Sequence, residues 1–81
     1  MQPLEGVAMT DEDRLLRLIY DECAKSPERR ANRAAVESQF GPEFEDAFLM
    51  LMNQDCIAKN GPANTISLLP TGRERAEGLS G

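Results

Sequence analysis

The sequence predicts one α+β domain, mostly helical: three helices, a β-hairpin and a short closing helix. Three observations carry this. Residues 10–26, 33–40 and 42–54 place apolar side chains at helical spacing. After them, "CIAKNGPANTISLL" sets two short β-type stretches around a polar turn. The chain has 81 residues, enough for one domain and one modest core.

Residues 1–9 contain Pro3 and Gly6 without periodicity, and read as a flexible arm. They lack the basic and apolar regions of a signal peptide. Thr10 then suits a helix cap, and Asp11, Glu12 and Asp13 favour the positive end of the helix dipole. Leu15, Leu18, Ile19 and Cys23 fall on one face of this helix, with Leu16 and Tyr20 on its flank. Asp13, Arg17, Asp21 and Lys25 follow at i, i+4 spacing, the pattern of a solvated ion-pair ladder.

Ser26–Pro27 redirects the chain into a polar, basic connector, "SPERRANR", which predicts about one turn of structure. Asn32 is a good cap for a short second helix, "RAAVESQF". Its small residues Ala34, Ala35 and Ser38 would let another helix approach. Gly41 makes the turn, and Pro42 fits the first position of a third helix ending near Gln54.

In that helix Phe44, Phe48, Leu51 and Met52 form an apolar stripe. Residues 47–52, "AFLMLM", are nevertheless apolar without a break. A helix on a small core buries only part of its circumference, so Leu49 or Met50 should stand partly exposed. "CIAK" and "TISLL" are the strands, with the five-residue tip "NGPAN" between them. Pro70 stops the second strand. Thr71 and Glu74 have capping-box spacing for the last helix. The domain is bounded at residues 10–77, and 78–81 reads as a frayed tail.

Net charge is −5, against non-specific attraction to nucleic acid or anionic lipid. The acid is uneven. Residues 42–55 carry Glu43, Glu45, Asp46 and Asp55 and no basic residue, whereas the connector carries Arg29, Arg30 and Arg33. With two cysteines and no histidine, a structural zinc site lacks ligands. Cys23 and Cys56 read as buried free thiols. No phosphate-cradling glycine loop or nucleophile–base pair is present, so the expectation is a non-enzymatic protein without cofactor, metal or small-molecule ligand. No apolar run approaches the roughly 18 residues that cross a membrane. The expectation is a cytoplasmic protein.

The order of elements, with "RAAVESQFGPEFEDAF", "LMNQDCIAK" and "ISLLPTGRERAEG", resembles a winged helix-turn-helix domain of the MarR-like and PadR-like regulators. Cys56 stands where those proteins usually have glycine. The resemblance implies three helices with a two- or three-stranded β-wing, and a transcription regulator or other nucleic-acid-associated factor binding double-stranded DNA. By position, Asp46, Leu49, Met50 and Asn53 would form the recognition face of helix three. Arg29, Arg30, Arg33, Lys59 and Asn60 would supply nucleic-acid contacts. The acidic third helix suits a second reading as well, a winged helix that contacts protein, either a second copy in a homodimer or a basic partner.

Overall fold

The computed structural model describes residues 10–80, so the expected arm at 1–9 and the final Gly81 lie outside the described residues. The chain order is α1 (Asp11–Lys25), β1 (Arg30–Asn32), α2 (Arg33–Phe40), α3 (Phe44–Asn53), β2 (Ile57–Asn60), β3 (Thr65–Leu68) and α4 (Pro70–Ser80). The described residues form a mostly helical α+β fold: four helices and a three-stranded antiparallel sheet in the order β1–β3–β2.

Helix α1 is the spine. The Thr10 hydroxyl accepts the Asp13 N–H at 3.2 Å and caps it, as its sequence demands. Its buried face is Leu15, Leu16, Ile19 and Cys23. Leu16 is therefore core, and Leu18 is the flank, the reverse of the expected assignment. The buried stripe of an α-helix is wide enough to take adjacent residues 15 and 16, and periodicity alone could not set its centre within one residue.

The connector holds a strand where one turn of structure was expected. In β1, Arg30, Ala31 and Asn32 pair with Ser67, Ile66 and Thr65 of β3. Three residues are too few to display a period of two, but their backbone satisfies the free edge of β3 and Ala31 is buried there. Asn32 then caps α2, its side chain accepting the Ala35 N–H at 3.0 Å. Ala34, Ala35 and Ser38 face solvent, so among the described residues this small-residue face receives no helix; Val36 is the one buried residue of α2.

Gly41 adopts φ 107°, a left-handed value that favours glycine. The Phe44 N–H donates to the Gly41 carbonyl at 3.1 Å, which places Pro42 and Glu43 in a turn. Helix α3 consequently opens at Phe44 and not at Pro42. Proline at the second position of a turn uses the same fixed φ that suits a helix start, so the two readings compete for one signal. Phe44, Ala47, Phe48 and Leu51 are buried, with the two phenyl centroids 5.1 Å apart. Each large side chain buried in this way contributes about 1.5–3 kcal/mol.

The hairpin turns through Gly61–Asn64, because Asn60 belongs to β2 and pairs with Thr65. Helix α4 begins with Pro70, and its first backbone bond runs from the Arg73 N–H to the Leu69 carbonyl at 2.9 Å. Thr71 thus lies inside the helix and is not its cap, and α4 continues past residue 77 to Ser80. Cys23 and Cys56 are both buried free thiols.

Candidate functional site on the outer face of the third helix

Helix α3 presents two faces of different chemistry. Phe44, Ala47, Phe48 and Leu51 turn inward, which leaves Glu45, Asp46, Leu49, Met50 and Asn53 in solvent. Leu49 is 52 % exposed and Met50 44 %, and they are the exposed large hydrophobics among the described residues. The expectation that one of the pair stands out is met by both. Asp46, Leu49, Met50 and Asn53 are spaced at three and four residues, so they form one continuous strip along the helix. Glu43 and Asp55 are exposed at its two ends.

The fold forces this arrangement. The inward residues of α3 fill the space against α1, and the helix cannot rotate to hide Leu49 without withdrawing Phe48 or Leu51 from the core. What remains outside is an apolar pair edged by carboxylates, with Asn53 as the amide donor and acceptor. Such a surface excludes water on contact and attracts cationic groups at its rim; it offers little to a phosphate backbone.

The five polar residues expected to touch nucleic acid are spread over the turn after α1, β1, α2 and β2. Arg33 is engaged inside the fold. Its guanidinium pairs with the Glu45 carboxylate at 3.2 Å and lies over the rings of Phe44 and Phe48, at 5.5 and 5.2 Å from their centroids. Its Nε is buried without a hydrogen-bond partner. Asn60 is engaged as well, donating to Ser67 Oγ at 2.8 Å and to Thr65 Oγ1 at 3.3 Å. The register puts Arg30 opposite Ser67 and Asn60 opposite Thr65, so these two share the outer face of the sheet. Lys59 pairs with Ile66 and belongs to the other row, exposed at the sheet edge. Arg29 is exposed in the turn after α1 and adopts φ 59°.

One cluster escaped the sequence reading. Arg75 of α4 donates to Asp13 of α1 at 2.7 and 3.1 Å, to the Gln54 side-chain oxygen, and toward the Cys56 sulfur at 3.8 Å. Burial works against the Arg75 charge, but the hydrogen-bonded Asp13 carboxylate outweighs it and holds the guanidinium pKa above its ordinary value. The cluster ties the start of α1, the end of α3 and α4 together. No local pattern could have announced it, because Asp13 and Arg75 are 62 positions apart.

Among the described residues, no group of three or more His, Cys, Asp or Glu is placed to hold a metal ion, and no helix is long and apolar enough to cross a membrane. The chain matches no protein-family model, no curated protein and no solved structure.

Proposed function

We propose that this chain is a small winged-helix module that contacts protein through the outer face of α3, and that its partner presents a basic surface with an apolar centre. The observation that carries the reading is the side-by-side exposure of Leu49 and Met50 on a helix without a basic residue. An apolar centre inside a charged rim is the anatomy of a protein contact. The charge of the rim selects a cationic partner and disfavours DNA.

The winged-helix assignment rests on the element order, with β1 joining the hairpin between α1 and α2. Regulation of transcription through bound DNA is the second reading. Exposed Arg29, Arg30 and Lys59 favour it. Against it, Arg33 and Asn60 spend their polar groups on intramolecular partners.

The test pairs two probes on the intact protein. A basic amphipathic peptide of alternating lysine and leucine pairs, titrated at low salt, should perturb the amides of residues 46–53, and Leu49→Glu should abolish the effect. Labelled random duplex DNA, followed by fluorescence anisotropy at low and moderate salt, should not bind. Salt-sensitive duplex binding weakened by Arg30→Ala would overturn the proposal in favour of the DNA reading. Light scattering on the same samples separates a foreign partner from a homodimer, since a second copy as partner would give a dimeric mass that Met50→Glu halves.

A further inference from the structure

The molecule has a second feature that shares no residue with α3. A groove of about 450 Å³ opens between the C-terminal turns of α1, the end of β3 and the start of α4. That volume lies within the range of small-ligand sites. Leu68, Leu69 and Pro70 supply apolar wall, Tyr20 supplies an aromatic one, and the guanidinium-bearing residues Arg29 and Arg73 line it from two separate segments.

Arg29 is the informative residue. It is one of three non-glycine residues with positive φ among the described residues; the other two are Asp55 and Asn64. Asp and Asn tolerate that region through short polar side chains, whereas arginine does so rarely. A strained backbone is thus maintained at a residue that lines the groove. Among the described residues the Arg29 guanidinium has no ion pair, and Arg73 has only a long, exposed one to Glu77 at 3.8 Å. The groove therefore combines an apolar body with two cations of weak or no neutralisation, offset by one lining carboxylate, Glu74.

We propose that this groove binds a small organic carboxylate with an aromatic or aliphatic body, its carboxylate held by Arg29 and Arg73. The apolar wall receives the body, and guanidinium groups recognise carboxylate geometry in preference to a neutral amide.

The probe is 2-naphthoate, titrated into the isotopically labelled full chain and followed by amide shifts, with 2-naphthamide as the uncharged control. Naphthoate should saturate shifts at Tyr20, Arg29 and residues 68–74. Naphthamide and the variant Arg29→Gln should each bind roughly tenfold more weakly, the loss expected for one charge-assisted hydrogen bond. Arg29→Gly should also lose binding while leaving Tm unchanged or raised, since glycine relieves the positive φ; this separates loss of the site from loss of the fold. Absence of saturable shifts at millimolar naphthoate, equal binding of acid and amide, or undiminished binding by both Arg29 variants would each overturn the proposal.

Discussion

The Arg75 guanidinium meets the Asp13 carboxylate at 2.7 Å, joining the last helix to the first turn of the first. Asp13 is thereby removed from the ladder that its spacing to Arg17 suggests; Arg17 pairs with Asp21 at 3.5 Å, and Lys25 pairs with Glu22 and not Asp21. The Asp13 side chain is 19 % exposed and that of Arg75 34 %, so the pair is screened less than an ordinary surface contact. Arg75→Ala should cost roughly 1–3 kcal/mol, because it also releases Gln54 and the contact to Cys56. Asp13→Asn should cost less, and chemical denaturation of the two single variants and the double variant should show strong coupling. Independent, additive effects would refute the role given to the pair.

Leu49 and Met50 make the opposite prediction. Both are solvated, so Leu49→Glu and Met50→Glu should each shift folding stability by less than about 0.5 kcal/mol. Phe48, one residue earlier, is buried and stacked on Phe44; Phe48→Ala should cost about 3–5 kcal/mol. Thermal melts of the three variants measure this directly. A large loss from either glutamate would mean that the face is part of the core and is not available to a partner.

These contrasts show where the sequence was legible. The caps at Thr10 and Asn32, the inward stripe of α3 and the exposed remainder of "AFLMLM" follow from contacts within four residues, which a local pattern can encode. The strand at Arg30–Asn32 exists because β3 has an edge to offer, and nothing in "RAN" announces that. Likewise, Arg33 is basic and polar in sequence, yet its guanidinium stands over two phenyl rings contributed by α3. The partners of Arg33 and Arg75 lie 12 and 62 positions away, beyond the reach of a local pattern.

Arg33 and Arg30 can be told apart by the same logic. Arg33→Ala removes an ion pair and two cation–π contacts, and should destabilise the fold by about 1 kcal/mol or more. Arg30→Ala alters an exposed side chain and should be close to neutral. Urea denaturation of both distinguishes them, and equal effects would show that Arg33 is no more anchored than its neighbour.

Cys23 gives a pH prediction. Burial pushes its thiol pKa up from the ordinary 9.0, so the folded state holds the proton longer than the unfolded chain does. The sign follows: this contribution to stability is complete below the unfolded value and is lost as pH rises through the folded one. Cys23→Ala removes that dependence. The variant should be less stable than the parent at pH 7, since it deletes a buried sulfur, and the gap should narrow as pH rises above 9.0. Melts at matched ionic strength check it; a gap that stays constant above that pH would show that Cys23 ionises no later in the fold than outside it.

Gly72 and Gly78 lie in the same helix, and alanine should affect them in opposite directions. A Cβ on Gly72 would stand 2.0 Å from the Cys56 carbonyl oxygen and 2.8 Å from its carbon. That oxygen already accepts the Leu69 N–H at 3.0 Å, so it is fixed between the end of β3 and the start of β2 and cannot move aside cheaply. Helix α4 must instead lift from its seat, and with it Ala76 from the core and Arg75 from Asp13. Gly72→Ala should therefore cost about 3 kcal/mol or more, at the upper end for overpacking. A Cβ on Gly78 meets nothing within 4 Å, and Gly78→Ala should stabilise by up to about 1 kcal/mol through helix propensity alone. Denaturation midpoints of the two variants decide the matter. If Gly72→Ala were tolerated, the close approach of α4 to Cys56 would not be a constraint on the fold, and the glycine there would reflect no packing requirement.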